Sequence, residues 1–425
     1  MTVNEAIDYI HSFSKFGKKS GLDNIRLLLN EMDNPQNDLK FVHIAGTNGK
    51  GSIANYISSA LIESGVNTGL YTSPYIEKFN ERIQLNGKNI SDDDLIIMTE
   101  YIMEKVKSIQ EKNPDYHPIE FEVITAIGME YFKRKKCEIV VLETGLGGKL
   151  DCTNVIEKPL ACIIGAIGHD HMQYLGKTLD EIAFEKCGII KRDSYVIMYP
   201  DMMGPVENIV KVNVMATYSY LCKNKEINVH SVSANGTVFT YGKEEYHLKM
   251  IGEHQAYNAV CAIEALHHLM MWYPITEETI KRGLTKASWK CRFEVFGKKH
   301  DIVIDGAHNL HGIKQFIKTA NMCYPDKRKI VVMGMLEEKN YRSSLKEIAK
   351  FADTLLITQI NSNRQNDVEL IYRTAREFFY EAVLFEDNYD AFDIAMTVKK
   401  DDAAVFVVGS LYLAGNLRSY VEKFC

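Results

Sequence analysis

The sequence predicts an α/β protein of two domains, with a mainly parallel sheet in the first and a smaller parallel sheet in the second. Three observations carry this. The chain has 425 residues, more than one core accommodates and enough for two or three domains of about 150 residues each. An apolar, β-prone run at residues 39–45 ends in glycines and gives way to helical periodicity, a strand–turn–helix signature. Beyond residue 296, short apolar strands alternate with helical stretches, which implies parallel pairing with helices on both faces.

Taken in order, residues 1–38 read as helical, with Ile7, Ile10 and Phe13, then Ile25, Leu28 and Leu29, on a helical period. Leu39–Ala45 is the first strand. After Ser52, the apolar residues Ile53, Tyr56, Ile57, Ala60 and Leu61 fall at i, i+3, i+4, i+7 and i+8, one face of a helix. Glu122–Phe132 reads as a helix, and Ile139–Leu142 and Ala161–Ile167 as buried strands. Residues 213–249 read as antiparallel β, with turns at Asn235-Gly236 and near Gly242. A helix is expected from about His254 to Met271. The character changes across Ser288–Phe296, which places a boundary near residue 290 and defines domains at 1–290 and 291–425. Strands at Asp301–Ile304, Lys329–Met333, Thr354–Ile357, Ala382–Phe385 and Ala404–Val408 fill the second domain.

Composition narrows the function classes. Hydrophobic residues make up 46% and charged residues 25%, the balance of a globular chain and not of a disordered one. Lys and Arg total 50 against 56 Asp and Glu, a net charge of −6. Such a surface argues against general binding to nucleic acid or anionic membrane, while leaving room for a local basic site. The nine cysteines are scattered and never spaced C-x-x-C, so reduced, mostly buried thiols are expected in place of a zinc site or a disulfide framework. The first residues carry Glu5 and Asp8 and do not read as a signal peptide. No apolar run approaches the ~20 residues of a membrane span. A cytoplasmic protein is expected, with no membrane and no nucleic-acid partner.

The strongest chemical signal is His43-Ile-Ala-Gly46-Thr47-Asn48-Gly49-Lys50-Gly51-Ser52. Glycines let backbone N–H groups approach phosphate oxygens, and the helix that follows adds the positive end of its dipole. Lys50 suits β/γ-phosphate charge, and Ser52 suits phosphate or magnesium. Gly51 separates Lys50 from Ser52, a departure from the general G-x-x-x-x-G-K-[ST] spacing. A phosphate loop calls for magnesium and hence for hard oxygen ligands. Glu143 stands directly after the strand at 139–142, the sheet edge where α/β sites form. His169-Asp170-His171 follows another strand end; three adjacent side chains cannot all face one ion, so at most one is a ligand. Asp305-Gly-Ala-His308-Asn309 follows a strand in the second domain, and Arg292-Phe-Glu294 lies at the junction. Each of these two reads locally as a capped turn or surface ion pair, or as part of a nucleotide cleft between domains.

These residues resemble the folylpolyglutamate synthase/dihydrofolate synthase family within the Mur-type ligases. The form GTNGKGS fits that family better than the general phosphate-loop pattern. So do SPYIEKFNERIQLNG (73–87), FEVIT (121–125), ETGLGGKLDCTNVI (143–156), GHDHMQYLG (168–176) and EKCGIIK (185–191). IGEHQAYNA (251–259), CRFE (291–294), DGAHN (305–309) and GSLYLAGNLR (409–418) carry the match nearly to the C-terminus.

The resemblance implies an N-terminal P-loop ATPase domain and a C-terminal Rossmann-like glutamate-ligase domain, with the active site between them. It implies that ATP phosphorylates a folate or dihydropteroate carboxylate and that the amine of L-glutamate attacks the acyl phosphate. It places Ser73, Glu143 and His171 around Mg2+, and matches Lys186 to a lysine that is carbamylated in the family. Gly46 to Ser52, Asn258, Arg292 and Asp305 match ATP-binding positions, and Lys50, Lys186 and His308 catalytic ones. Segment 73–82, with Ser73, Pro74 and Arg82, is similar to the mobile loop over the folate site. Phe121, Glu122, Thr125 and Asp151 fall on segments associated with pterin or pteroate. A monomer is expected.

Some positions depart from the pattern. Tyr75 stands where SPH is frequent, Lys149 replaces the usual arginine of GLGGRLD, and GMLEEKN (334–340) lacks the terminal aspartate of a DKD-like motif. Two other functions compete. A Mur-type ligase acting on a UDP-linked peptidoglycan precursor shares the chemistry, but Gly51, the SPYIEKFNERI loop and GLGGKLD favour the folate branch. A nucleotide switch explains residues 43–52 but leaves Lys186, Asp305 and His308 idle.

Overall fold

The computed structural model describes residues 1–14, 21–202, 204–222, 225–299, 301–336, 341–360 and 367–425. Residues 337–340 of the GMLEEKN segment lie outside them. The chain forms two compact units, each discontinuous in sequence. The first comprises Met1–Ile167, Thr178–Asn224 and Tyr257–Lys286; the second comprises Gly168–Lys177, Lys225–Ala256 and Ala287–Cys425.

The first unit is built on eight strands: β1 Phe41–Ala45, β2 Thr68–Tyr71, β3 Ile83–Leu85, β4 Lys88–Asn89, β5 Ile139–Glu143, β6 Ala161–Ile164, β7 Tyr195–Met198 and β8 Tyr220–Leu221. They lie in the order β4-β3-β2-β5-β1-β6-β7-β8. All pairings are parallel except β2–β3 and β3–β4. β1 is therefore central, with β5 and β6 on either side. Every residue of β1 and β5 is buried, as expected for parallel strands covered on both faces. Ile10, Leu28, Phe41, Leu95, Ile127, Phe132, Val140 and Leu142 share one core beneath the helices Val3–His11, Asp23–Glu31, Asp92–Lys112 and Glu120–Arg134. Truncating such a residue to alanine costs about 2–5 kcal/mol.

The second unit holds a three-stranded antiparallel sheet, β9 Ile227–Ser233, β10 Gly236–Tyr241 and β11 Glu244–Leu248. It also holds a six-stranded sheet of β12 Glu294–Phe296, β13 Ile302–Ile304, β14 Arg328–Met333, β15 Thr354–Thr358, β16 Val383–Phe385 and β17 Ala403–Val408. Their order is β12-β13-β17-β14-β15-β16, parallel except for the β12–β13 pair. Phe293, Val303, Phe316, Met333, Leu355 and Phe406 centre its core.

Two local expectations are corrected. The antiparallel stretch expected from 213 begins only at 227, because Gly204–Ala216 is a helix. Its valines look strand-like, yet Val206, Val210 and Val214 are its buried residues, a helical i, i+4, i+8 stripe. β8 then joins the large sheet parallel to β7. The strand expected at Ala161–Ile167 stops at Ile164, and Gly165 and Ala166 serve the phosphate loop instead.

Candidate active site

β1 ends at Ala45, and the chain turns through Gly46–Gly49 into the helix Lys50–Glu63. Gly49 takes φ +83° as the helix N-cap, a conformation glycine adopts at little cost. It also allows a close approach: a Cβ there would overlap the side-chain amide of Asn258, standing 3.0 Å from its Cγ. The amides of Thr47 and Asn48 donate to Ala166 O at 2.7 and 3.3 Å, tying the turn to the end of β6. The first N–H groups of the helix Lys50–Glu63 precede its i→i−4 ladder, which suits this turn to an anion.

Glu143 closes β5 and is buried beside this loop. Lys50 Nζ lies 3.8 Å from its Oε1, and Ser73 N donates to its Oε2 at 3.2 Å. The Ser73–Pro74 peptide is cis. Lys186, from the helix Leu179–Cys187, is buried, and its Nζ donates to Gly46 O at 2.8 Å. Of the expected nucleotide and metal residues, the first unit thus brings together Gly46–Ser52, Ser73, Glu143, Lys186 and Asn258. Among the described residues, no group of three or more His, Cys, Asp or Glu side chains is arranged to hold a metal ion. The carboxylate of Glu143 beside a phosphate loop nevertheless fits Mg2+, which binds through one or two carboxylates together with substrate phosphates.

The residues expected on the acceptor side divide. Tyr71 OH and Thr125 Oγ1 are 3.0 Å apart, and the Tyr71 and Phe121 rings 6.1 Å. The guanidinium of Arg82 lies 5.2 Å from the Tyr75 ring and 5.6 Å from the Phe79 ring. Its outer nitrogen is 3.9 Å from Glu120. Glu122, by contrast, turns its carboxylate back to accept Ile119 N at 2.8 Å, capping the helix Glu120–Arg134. Burial raises its pKa, opposed by that N–H. Asp151 is buried too, and burial raises its pKa. Its Oδ2 accepts Leu146 N at 2.7 Å and its Oδ1 accepts Thr153 N at 3.0 Å. Both carboxylates organise backbone.

In the second unit, Asp305 is likewise occupied. It accepts Phe293 N and Ala307 N, each at 2.7 Å. Burial raises its pKa, with Arg292 the strongest opposing influence. Cys291 and Phe293, on either side of Arg292, both have left-handed φ, 55° and 46°, so Asp305 holds a strained turn that presents the guanidinium. His308 Nδ1 lies 2.8 Å from Gly306 O, and its Nε2 lies 3.7 Å from Asp170 Oδ2. The same Asp170 oxygen accepts Asn309 Nδ2 at 3.1 Å. Its Oδ1 accepts the amide of His171, which itself has φ 48°. Glu294 receives Arg418 through Nε and a terminal nitrogen, at 2.9 and 2.7 Å.

Sequence reasoning left Asp170 and Asn309 without roles, although both sit inside motifs it marked. The signal was an acid beside a histidine; the partner, 139 residues away, was beyond it. It also left His43 unused.

The sequence matches the Mur ligase middle domain over residues 44–266 and the Mur ligase glutamate ligase domain over residues 291–411. It is 33% identical to the dihydrofolate synthase/folylpolyglutamate synthase of Bacillus subtilis, covering 98% of this chain and 99% of that protein. Among solved structures, it is similar to Mycobacterium tuberculosis folylpolyglutamate synthase complexed with ADP, at 27% identity and TM-score 0.90, over 99% of this chain and 98% of that one. An FPGS–AMPPCP–folate complex superposes with TM-score 0.87 at 29% identity, over 99% of both chains. The chain belongs to the folylpolyglutamate synthase/dihydrofolate synthase family of Mur-type ligases.

Proposed function

We propose that the chain is an ATP-dependent ligase that joins a folate or dihydropteroate carboxylate to the amine of L-glutamate. The observation that carries this reading is the convergence of Lys50, Glu143, Ser73 and Lys186 on one phosphate loop. The relatives named for folylpolyglutamate and dihydrofolate synthesis support it over a UDP-linked acceptor.

The chemistry needs an activated carboxylate, since a carboxylate itself is a poor acyl donor. A carboxylate oxygen of the acceptor attacks the γ-phosphorus of ATP, and ADP departs with the electron pair of the broken P–O bond. The glutamate amine then attacks the acyl carbon, phosphate leaves, and the nitrogen loses a proton. The first-turn N–H groups at 50–52 hold the phosphates, and Lys50 offsets the charge that accumulates during transfer. Glu143, Ser73 and His171 are the residues proposed to hold Mg2+, which when bound neutralises phosphate charge. Lys186 is proposed to carry a carbamate, which converts a cation beside the loop into an anionic oxygen donor. Asn258 and Arg292 are assigned to the nucleotide, with Asp305 holding the Arg292 turn, His308 to the transferred phosphate, and Arg82, Phe121 and Thr125 to the folate side. The proposed working division is 1–290 for ATP and 291–425 for the glutamate-ligase domain, in a cytoplasmic monomer. Among the described residues, no helix is long and apolar enough to cross a membrane.

A product assay tests the reading. Dihydropteroate and several reduced folates are each incubated with ATP, magnesium and glutamate. Amide formation coupled to release of ADP and phosphate is expected, and ATP turnover that ignores the acceptor refutes the assignment.

A further inference from the structure

The ring of His43 is wholly buried in the middle of β1, opposite Leu142 of β5 and Cys162 of β6. Its Nε2 lies 2.8 Å from Thr153 Oγ1, and that hydroxyl lies 2.5 Å from Asp151 Oδ1. The Thr153 hydroxyl donates its proton to Asp151 Oδ1, which also accepts Thr153 N, while Oδ2 accepts Leu146 N. The hydroxyl oxygen must then accept from His43, which fixes the ring proton on Nε2. Nδ1 is left as a bare lone pair, with no hydrogen-bond partner among the described residues. A buried, half-satisfied histidine costs stability that an apolar side chain in a parallel strand avoids.

The line of bonds ends at the loop after Glu143. Asp151 holds Leu146 N, and the neighbouring Gly145 backbone lies so near Phe121 that a Cβ there would stand 2.5 Å from its ring. At the far end, His43 is three residues from Gly46.

We propose that His43 is a positioning residue, which orients the Thr153 hydroxyl and through Asp151 holds the 145–149 loop against Phe121 on the acceptor side of the site. The assignment of that side to folate rests on the ligase reading above; the hydrogen-bond relay does not.

Thr153→Val removes both hydrogen bonds at nearly constant volume, and Thr153→Ser keeps them. His43→Gln keeps an N–H donor near the position of Nε2, and His43→Leu does not. Steady-state kinetics with dihydropteroate or a reduced folate read the split between KM and kcat. Loss of one or two ordinary hydrogen bonds behind a site costs about 2–100-fold. Thr153→Val is expected to raise the folate KM within that range and to leave the ATP KM unmoved, with Thr153→Ser and His43→Gln recovering most of the loss. A wild-type folate KM in Thr153→Val, or an equal rise in the ATP KM, overturns the proposal. Nitrogen-15 NMR of His43 gives a readout that needs no activity: a protonated Nε2 supports the relay, and a protonated Nδ1 refutes it. Should His43→Leu fail to fold, the Thr153 pair and the tautomer decide. A wild-type chain that ligates no pteroate or folate instead sinks the ligase reading, and the tautomer still judges the relay.

Discussion

Replacing Gly49 by alanine tests the geometry of the phosphate loop at its tightest point. The residue has φ +83°, where an L side chain costs roughly 1–2 kcal/mol. The new methyl would also overlap the Asn258 amide, and overpacking of this kind adds about 1–3 kcal/mol. The total, about 2–5 kcal/mol, lowers Tm by roughly 2–4 °C per kcal/mol for a unit of this size. The loop N–H groups shift with it. If one hydrogen bond to a charged phosphate, worth about 1.5–3 kcal/mol, is lost, ATP affinity falls about 10–100-fold. Calorimetry of melting and of nucleotide binding measures both effects. Asn258→Ala in the same chain removes the obstructing amide while the φ cost stays. The double variant should therefore recover about 1–3 kcal/mol relative to the sum of the single changes. Strict additivity would mean that Asn258 does not lie against Gly49, and the account of this close approach fails.

Lys50→Ala should leave the circular-dichroism spectrum intact and remove ATP-dependent ligation; near-normal turnover contradicts its role. Glu143→Gln should raise the magnesium concentration needed for half-maximal activity about 10–100-fold, read from a magnesium titration at fixed ATP. Lys186→Ala should lose activity that a small carboxylic acid partly restores, whereas Lys186→Arg stays inactive; a bare Nζ by mass measurement under CO₂-trapping conditions counts against the carbamate. His267 supplies a pH test. Burial works against its charge, but Glu264 at 3.7 Å and Glu277 at 2.9 Å outweigh it and raise its pKa to about 9. A raised pKa stabilises fully below the unfolded value of about 6.5 and the gain disappears as pH rises through 9. His267→Ala should therefore lower Tm more at pH 6 than at pH 10, and equal shifts at both would refute the ion-pair account.

The strand–loop–helix unit at 41–63 was legible because the hydrophobic period changes from continuous burial to 3.6 across four residues rich in glycine. The alternation of strands and helices after residue 296 was legible for the same reason, and each expected strand there lies within two residues of the observed one. Residues 204–216 were not, because β-branched side chains on a helical stripe carry two contradictory signals. Composition favours strand, while the burial spacing of Val206, Val210 and Val214 favours helix.

The site shows where a motif stops being informative. Sequence marks which residues carry charge but not which way a carboxylate faces. Glu143 was marked for Mg2+, Asp305 for ATP, and Glu122 and Asp151 for the folate side, yet their carboxylates are placed quite differently. Glu143 lies at a strand end with Lys50 beside it, the placement from which its proposed role toward a polyphosphate and its cation is drawn. Glu122 faces the N-terminus of its own helix, and Asp151 and Asp305 each take two backbone amides from turns. The backbone donors favour the ionised form of these buried carboxylates, and burial opposes it. Such groups are expensive. What they secure is a loop that would otherwise have several conformations: the 145–149 turn against Phe121, and the left-handed turn that presents Arg292. On this argument, Asp151→Asn and Asp305→Asn impair catalysis by loosening a loop. Their defects should shrink when that loop is stiffened elsewhere, and the defect of Glu143→Gln should not.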